Sequence, residues 1–466
     1  MSERNLIKDF YPDFSCDKLK EECGVFGVYR QEGAASLTYL GLHALQHRGQ
    51  EGAGIASADG KTLFCRKGKG LLTEAISHED MASLPGIHSI GHVRYATAGG
   101  DEAENLQPIV ARASFGSLAV AHNGQIVNAS ELRTALEHQG HLFLGSSDSE
   151  IILHLIQKQD GPLVQKIQRA CSQLRGAFAF LFLTEKSLYG VRDRNGLRPL
   201  CLGKKGDGWV LSSETCALDS VGATFVRDVL PGEIVKISSH GLETFWYTEP
   251  GERRTCAMEY IYFARADSTM DGRSIYQMRK ETGRLLARAD AGKVEADLVA
   301  GVPDSSLPAA MGYAEASGLP YELALIKNPY VGRTFIEPTQ EQRDLGVRRK
   351  LAVNRSVIQG KRLILLDDSV VRGTTSKRII HLLKDLGARE VHLRIASPEI
   401  LFPCFYGIDT PTREELIAAQ MDMDALCRYL GADSLRFLHV EDLVQAYGSD
   451  SLCFACFQGQ YPAGTF

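Results

Sequence analysis

The sequence predicts two kinds of architecture in one chain of 466 residues. The first half contains many short β-like segments punctuated by glycine and few helical patterns, which is typical of stacked sheets with flanking helices. The second half alternates helices with apolar strands, which is typical of a doubly wound α/β domain. The predicted fold class is therefore an α+β unit joined to an α/β domain, and the length suffices for about three domain-sized units.

The composition excludes several classes of protein. Hydrophobic residues make up 44% of the chain and charged residues 23%, as in ordinary globular proteins. The 52 basic and 57 acidic residues leave a net charge of −5, which disfavours a nucleic-acid partner. The conspicuous apolar run at residues 177–183 is too short to span a membrane, and residues 1–22 contain no apolar signal segment. We therefore predict a cytoplasmic protein without a membrane span.

The β-like segments of the first half extend from Cys23 to about Ser239. Helical patterns interrupt them at residues 36–46 and 149–159. The segments are, in chain order, CGVFGVYR, LFCRKG, SIGHVRYAT, LAVAHNG, GAFAFLFL, SLYGVRD and GWVLSSE.

The pattern changes after residues 249–254, EPGERR. Strands are then predicted in ADLVAGVP, LILLDD and VHLRIAS. The predicted helices lie at residues 275–290, 307–317 and 376–386.

The best-defined unit of the second half is the strand–loop–helix around LILLDD. Asp367 and Asp368 end its apolar strand, and the loop SVVRGTT follows. Thr375 or Ser376 is the expected N-cap of the next helix, and Gly387 is its expected end. Because ligands bind at the carboxyl edges of parallel strands, this loop is a candidate binding site.

One cysteine and four downstream motifs define a candidate nucleophilic site in the first half. Cys23 is the candidate nucleophile, and the motifs are HRGQEGAG (47–54), GHVRYAT (91–97), HNG (122–124) and SDSE (147–150). A cysteine attacks as the thiolate, and a free thiol with a pKa of about 8.5 needs a base to reach that state. A chain-terminal amine, with a pKa of about 7.7–8.0, is such a base, whereas the amide nitrogen of an internal cysteine is not. Residues 1–22 must therefore be removed if Cys23 is the nucleophile.

Taken singly, these features have ordinary structural interpretations. A lone cysteine is often a small buried hydrophobe, HNG is often a turn, and Arg94 or Asp148 alone usually belongs to a surface ion pair. Together, and in this order along the chain, they favour a catalytic site.

The segment LILLDDSVVRGTT (363–375) resembles the signature of proteins that bind phosphoribosyl pyrophosphate (PRPP), and it lacks the GKS or GKT element of a nucleotide-binding P-loop. Backbone N–H groups of the loop and the helix N-terminus favour a 5′-phosphate. Asp367 and Asp368 would bind the ribose hydroxyls, directly or through Mg²⁺. A turn or a helix cap is the alternative interpretation. The residues expected around the phosphate are Arg372, Gly373, Thr374 and Thr375.

The segment at residues 327–350 is rich in positive charge, with six basic residues against three acids. Lys327 and Arg333 are its candidate PRPP-binding residues. A lid that closes on pyrophosphate needs such charge and would exclude water. A solvated basic face is the alternative interpretation.

The first-half motifs resemble the glutamine amidotransferases of the N-terminal-nucleophile class. With the PRPP signature and the segment YIYFARADS (260–268), the chain resembles the family of glutamine PRPP amidotransferases from about Cys23 to Cys456. The resemblance implies an αββα sandwich with glutaminase activity, joined to a phosphoribosyltransferase-type domain. It also implies the reaction: glutamine supplies ammonia, which displaces pyrophosphate from PRPP to give 5-phosphoribosylamine, the first committed step of purine (IMP) synthesis.

The same resemblance implies roles for individual residues. Asn123 and Gly124 would form an oxyanion hole, Arg94 would bind the glutamine α-carboxylate, and Asp148 would bind its α-ammonium group. Ser305, in PDSS (303–306), would complete the Mg²⁺ site. Arg48 would help to order the glutaminase site, and His47 would be structural. Residues 1–22 would be a propeptide, which members of this class usually remove by self-cleavage.

Four of the 11 cysteines form a third candidate site, because a CxxC pair can direct two thiolates at one metal or cluster. One branch of the family carries a 4Fe-4S cluster on four cysteines in similar contexts, which implies a structural cluster here. Buried free thiols or a zinc ion are the alternatives. The four cysteines are Cys256, Cys404, Cys453 and Cys456.

The predicted organisation is a propeptide at 1–22, a glutaminase domain at 23–250, a phosphoribosyltransferase domain at 251–445 and a tail with cluster ligands at 446–466. The resemblance further implies purine nucleotides as feedback inhibitors and a homotetramer. Two other functions remain open from sequence alone. One is an amidotransferase that makes asparagine or an aminosugar, and the other is a regulator that binds PRPP or a cluster without turnover.

Overall fold

Two antiparallel sheets stack face to face in the first half of the chain. The structure is a computed structural model that describes residues 23–95, 103–328, 351–410 and 412–465. Neighbouring strands in both sheets are paired antiparallel. The seven-stranded sheet has the order Thr224–Asp228, Cys201–Lys205, Gly208–Ser212, Gly24–Tyr29, His88–Arg94, Gly52–Ala58 and Leu63–Lys69. The six-stranded sheet has the order Gly241–Trp246, Glu233–Ser238, Leu188–Arg192, Gly176–Leu183, Gly116–Ile126 and Ile109–Ala113.

The strand Gly176–Leu183 shows why this half of the chain is so rich in apolar residues. Its side chains are buried along the whole strand. Leu181 points into the core between the two sheets, whereas Phe180 and Phe182 pack in a second core beneath the outer helices. Because successive side chains of a strand point to opposite faces, a strand covered on both faces must be apolar throughout.

Helices cover the outer faces of both sheets and complete the αββα sandwich that the family resemblance implied. Helix Ala34–Ala44 packs Leu42 against Phe26 and Val28 of the seven-stranded sheet. On the outer face of the six-stranded sheet, three helices bury apolar residues against the strand of Phe180. Besides Ala34–Ala44, the described helices of this half are Leu72–Ala75, His78–Ala82, Ala129–His138, Ile151–Gln157, Leu163–Cys171 and Thr215–Ser220.

Only two of these helices were predicted from the sequence. The pattern at 36–46 corresponds to Ala34–Ala44, and the pattern at 149–159 corresponds to a short 3-10 turn followed by Ile151–Gln157. The expectation of two helices was wrong, because Ala129–His138, Leu163–Cys171 and Thr215–Ser220 are helical as well.

The second half is built on a four-stranded parallel sheet. The strand order is Leu298–Gly301, Arg362–Asp367, Glu390–Ile395 and Ser434–Phe437. Ile364 and Leu366 pack on one face, whereas Leu363 and Leu365 pack on the other. The helices are Ile275–Asp290, Leu307–Ser317, Arg355–Ile358, Thr374–Asp385, Met423–Leu430, Val440–Tyr447 and Ala455–Gln458. The predicted doubly wound α/β domain is therefore confirmed.

The predicted helices at 275–290 and 307–317 are confirmed with the same bounds. The third begins at Thr374, with Gly373 as its N-cap at a φ of 75°, so the prediction of Thr375 or Ser376 as the cap was wrong. Glycine adopts this left-handed conformation without steric cost, which allows the loop to turn into the helix two or three residues earlier than the predicted hydroxyl caps would. Gly387, at a φ of 108°, follows the helix end as predicted.

None of the helices in the described ranges is both long enough and apolar enough to cross a membrane.

Candidate active sites and cysteine cluster

Cys23 lies at the start of the strand Gly24–Tyr29, beside the end of the strand His88–Arg94. The Cys23 thiol donates a hydrogen bond to the carbonyl oxygen of Tyr95 at 3.4 Å, and the Tyr95 N–H approaches the sulfur at 3.5 Å. The residue is only 9% exposed. The sulfur is therefore held at the end of the sheet, shielded from bulk water.

Burial raises the pKa of the Cys23 thiol to about 11. The Tyr95 N–H, Arg94 and Arg48 oppose this effect, whereas the negative charge of Asp148 adds to it. Arg94 and Asp148 therefore lie close enough to Cys23 to act on its charge, as a shared glutamine site requires. Arg94 is itself buried on its strand.

Asn123 and Gly124 lie on the strand Gly116–Ile126 of the facing sheet. The Asn123 side chain is completely buried, and neither its oxygen nor its nitrogen has a hydrogen-bond partner among the described residues. A buried amide without protein partners is costly, so the Asn123 side chain is a candidate to bind a ligand. Gly124 has a φ of 131°, and a Cβ there would lie 2.1 Å from the Ala177 carbonyl oxygen, so only glycine fits.

Asp148 opens the 3-10 turn Asp148–Glu150. Its Oδ2 accepts a hydrogen bond from the Ile126 N–H at 2.8 Å, two residues after Gly124. Its Oδ1 accepts a longer one from the Ser149 hydroxyl at 3.4 Å. The bond from Ile126 ties the carboxylate to the strand that carries Asn123.

The second site lies at the carboxyl edge of the parallel sheet. Asp367 ends the strand Arg362–Asp367, and the Ser376 hydroxyl donates to its Oδ2 at 3.3 Å. The Ser305 hydroxyl donates to Oδ2 of Asp368, across from the neighbouring strand. The structure therefore brings together the three residues predicted for Mg²⁺, and both aspartates are buried.

The other described residues that were predicted to bind PRPP lie at the same edge, either at the start of the helix or in ion pairs. Gly373 and Thr374 form the start of the helix, so their backbone N–H groups are available to a phosphate. The Arg372 guanidinium donates to Glu415 at 3.0 Å through Nε, and Lys327 is paired with Asp304. Arg333 and most of the basic segment at 327–350 lie outside the described residues, as do residues 1–22.

The four cysteines of the third site converge at the junction of the tail with the rest of the chain. Cys256 lies directly opposite Cys453 in a short parallel pair formed by Thr255–Cys256 and Leu452–Cys453. The pKa of Cys456 is raised well above its usual range by burial and then by the charges of the other three thiols, which shows their proximity.

The loop that carries Cys404 is attached to the same place by backbone hydrogen bonds. The N–H groups of Leu401 and Phe402 donate to the Cys456 carbonyl oxygen at 2.9 and 3.0 Å. The Tyr406 N–H donates to the Cys404 sulfur at 3.4 Å. In the described ranges, no group of three or more histidine, cysteine or acidic side chains is arranged to hold a metal ion.

Sequence reasoning missed two acids beside the first site. Arg48 is 1% exposed, and it lies between the carboxylates of Glu214 and Glu259, each 2.6 Å from one of its terminal nitrogens. No spacing pattern connects these acids with Arg48, because they are far apart in the chain. His47, predicted to be structural, donates through Nε2 to Oε1 of the same Glu214 at 2.7 Å.

Comparison with known proteins agrees with both halves of the structure. A family model described as a glutamine amidotransferase domain matches residues 92–220. The amidophosphoribosyltransferase of Bacillus subtilis is 52% identical over 95% of this chain and 94% of its own length. That of Staphylococcus aureus strain MRSA252 is 50% identical over 97% of this chain and 93% of its own length.

Two solved structures superpose on nearly the whole chain. The glutamine PRPP amidotransferase of B. subtilis, complexed with ADP and GMP, gives a TM-score of 0.91 at 50% identity, over 95% of this chain and 98% of that one. A structure described as the allosteric regulatory enzyme of purine biosynthesis gives a TM-score of 0.91 at 51% identity, over 95% and 97%.

The fold and the matched domain define a glutamine amidotransferase joined to a phosphoribosyltransferase-type domain. The curated relatives match over nearly their full length at about half identity. The chain belongs to the amidophosphoribosyltransferase family, whose members catalyse the first step of purine biosynthesis. It is a glycosyltransferase with glutamine amidotransferase activity, in which ammonia from glutamine displaces pyrophosphate from PRPP. This excludes both alternative functions that the sequence left open.

Proposed function

We propose that Cys23 is the glutaminase nucleophile and that removal of residues 1–22 activates it. While Cys23 is internal, its nitrogen is an amide and burial holds the thiol pKa at about 11, so almost no thiolate exists at neutral pH. Cleavage releases an α-amino group attached to the same Cα. That amine accepts the thiol proton with a pKa matched to neutral conditions.

In the proposed reaction, the Cys23 sulfur attacks the side-chain amide carbon of glutamine and forms a C–S bond. The thiol proton passes through the α-amine to the amide nitrogen, the C–N bond breaks and ammonia leaves. Water then cleaves the thioester to glutamate and restores the thiol.

The buried amide of Asn123 is the observation that carries this proposal. Its unpaired nitrogen suits an oxyanion that develops on the glutamine side chain, together with the N–H of Gly124. Arg94 suits the α-carboxylate, because a guanidinium binds a carboxylate with two parallel hydrogen bonds. Asp148 suits the α-ammonium group.

The maturation proposal predicts that the enzyme with glutamine-dependent activity begins at Cys23. Intact-mass measurement of chromatographically separated species should assign the activity to residues 23–466 and none to residues 1–466. Ammonia-dependent synthesis, which does not need the thiol, serves as the internal control for a folded second site. Glutamine-dependent activity in a species that keeps residues 1–22 would refute the proposal.

We further propose that PRPP binds at the edge formed by Asp367 and Asp368. The backbone of Gly373, Thr374 and Thr375 suits the 5′-phosphate. Ser305 and the two aspartates offer oxygen donors, the donor type that Mg²⁺ prefers, so these residues fit the ion. When bound, Mg²⁺ would neutralise charge on the departing pyrophosphate. Lys327 would contact the pyrophosphate after its ion pair with Asp304 breaks. Arg333, in the basic segment, would contact the pyrophosphate as well.

We also propose that the four cysteines bind a structural 4Fe-4S cluster. A zinc ion needs all its ligands around one point, whereas each thiolate of such a cluster binds a different iron. Cys256 lies opposite Cys453, and the loop of Cys404 is hydrogen-bonded to Cys456, so the four thiols could supply one ligand to each iron of such a cluster. Burial raises the pKa of Cys256 and Cys453, and the positive charge of Arg198 opposes this effect and would balance thiolate charge. Because Cys453 and Cys256 would both bind the cluster, the cluster would hold the tail against the segment that carries Cys256.

The cluster proposal predicts a brown protein with about four irons per chain after purification without oxygen. Cys456→Ser should lose most of the iron and lower the melting temperature. Cys427→Ser, at a half-buried cysteine outside the predicted ligand set, is the matched control and should keep both the iron and the melting temperature. Colourless wild-type protein without iron, or one zinc ion per chain, would contradict the cluster.

The regulation and assembly of the enzyme are also proposals. The B. subtilis structure is described as complexed with ADP and GMP, which supports inhibition of this chain by purine nucleotides. A homotetramer in the cytoplasm remains a prediction from the family resemblance and the sequence.

A further inference from the structure

The segment at residues 259–268 contains the motif YIYFARADS (260–268), and neither proposed active site uses a residue of this segment. It follows the short strand Thr255–Cys256 and begins with the π-helical turn Glu259–Phe263. It precedes the helix Ile275–Asp290 of the second half. The segment therefore lies between the glutaminase sheets and the PRPP-binding sheet in the chain.

Glu259, the first residue of this segment, is connected to Cys23 through the side chain of Arg48. Oε1 of Glu259 is 2.6 Å from Nη2 of Arg48, and Oε2 is 3.0 Å from Nη1. Nε of the same guanidinium donates to the carbonyl oxygen of Cys23 at 3.2 Å. The path from Glu259 to the Cys23 backbone thus contains only Arg48.

The glutaminase domain supplies the second carboxylate. Oε1 of Glu214 accepts from Nη1 of Arg48 at 2.6 Å. Its Oε2 accepts from the Arg265 N–H at 2.9 Å and from the Ser268 hydroxyl at 2.7 Å. Glu214 therefore binds both Arg48 and the far end of the 259–268 segment, and this places Glu259 against the guanidinium.

The three ionised side chains are fully enclosed. The side chain of Arg48 is 1% exposed, and those of Glu214 and Glu259 are 0% exposed. An arginine held by two carboxylates has few orientations open to it, because its planar fork is fixed at both terminal nitrogens. The direction of its Nε–H, and hence the position of the Cys23 carbonyl, is set by the two acids.

The other side of the segment is fastened to the PRPP-binding half. Arg279 donates through Nε to the Tyr260 carbonyl oxygen and through Nη2 to the Ala264 carbonyl oxygen, each at 2.7 Å. Arg279 and Tyr260 also line a small cavity with Ser305 and Asp368. Glu259 is thus anchored between the two sites.

We propose that Glu259 is a positioning residue for glutamine hydrolysis, which acts through Arg48 to fix the Cys23 backbone. The inference rests on the proposed role of Cys23. It adds that the glutaminase site is completed by a carboxylate outside the sandwich, on the segment that leads to the PRPP-binding half. The carbonyl of Cys23 is bonded to the Cα that carries both the thiol and the released amine. Loss of the hydrogen bond from Arg48 to this carbonyl therefore displaces both the thiol and the amine that serves as its base.

The test is Glu259→Gln, which keeps the size of the side chain and removes its charge. We expect glutamine-dependent kcat to fall at least about tenfold with the KM for glutamine within about twofold, since Arg94 and Asp148 are untouched. Ammonia-dependent kcat and the KM for PRPP should stay within about twofold. Glu259→Asp keeps the charge and should recover part of the lost kcat; if Glu259→Gln is insoluble, Glu259→Asp alone should show the same selective loss in smaller measure.

Glu252→Gln is the matched control, because Glu252 is exposed, pairs with Arg254 and lies seven residues earlier. It should leave both activities unchanged. Unchanged glutamine-dependent kcat in Glu259→Gln would overturn the proposal, and so would an equal loss of both activities or a loss confined to the KM for glutamine. If Cys23→Ala kept glutamine-dependent activity, the assignment of the nucleophile would fail instead, so the two failures are distinguishable.

Discussion

Cys23→Ala should abolish glutamine-dependent synthesis of phosphoribosylamine and spare synthesis from ammonia. Loss of a nucleophile costs at least about a thousandfold in rate, because the remaining groups only bind and polarise the substrate. The second site keeps all its residues, so ammonia added at high pH should react with PRPP as before. Parallel assays of pyrophosphate release with glutamine and with ammonia measure both effects.

Cys427→Ala provides the matched control, because Cys427 belongs to neither proposed active site and its thiol donates to the carbonyl oxygen of Ala432. Both activities should persist in this variant. If Cys23→Ala reduced the two activities equally, the division of labour between two sites would be wrong.

Asp368→Asn should abolish transfer to PRPP with either nitrogen source. The change removes one negative charge from the predicted Mg²⁺ ligands and alters the contact with Ser305. We expect both activities to fall at least about a hundredfold, since a metal-assisted charge interaction is worth several kcal/mol. Steady-state rates with ammonia and with glutamine, at saturating Mg²⁺, measure the loss.

Asp385→Asn is the matched control, because it removes the charge of an aspartate at the exposed end of the helix that begins at Thr374. It should leave both activities intact. Selective loss of the glutamine-dependent reaction in Asp368→Asn, with ammonia-dependent transfer retained, would show that Asp368 does not act at the PRPP site.

The sequence was sufficient for features encoded by local pattern. Helix Ile275–Asp290 matches its predicted bounds because a long periodic pattern follows the Ser274 cap, and Leu307–Ser317 matches because Pro308 and Gly318 mark its ends. Asp367 and Asp368 were found because paired acids after an apolar strand must lie at the edge of a parallel sheet. The missed helix Leu163–Cys171 carries a helical pattern of its own, with Ile167, Ala170 and Cys171 buried on one face, so the signal for it was present in the sequence.

The buried cluster of Arg48, Glu214 and Glu259 could not be predicted in the same way. Glu214 is 166 residues from Arg48 in the chain, and Glu259 is 211 residues from it. Nothing in the local sequence distinguishes these acids from solvated ones, because their burial results from the packing of three separate segments. The partners of Arg372 and Lys327 were missed for the same reason, since Glu415 and Asp304 meet them only in the fold.

The most direct test of the account is the reactivity of the Cys23 thiol as a function of pH, before and after cleavage. Trypsin should release EECGVFGVYR from the uncleaved chain and CGVFGVYR from the mature one, so mass spectrometry reports alkylation of each form in one sample. A raised pKa keeps the thiol protonated below it, so iodoacetamide labelling of the native uncleaved chain should rise only towards about pH 11. In the mature chain we expect labelling to level off near pH 8, where the α-amine becomes neutral. Identical pH profiles for the two peptides would contradict the claim that the released amine activates the buried thiol.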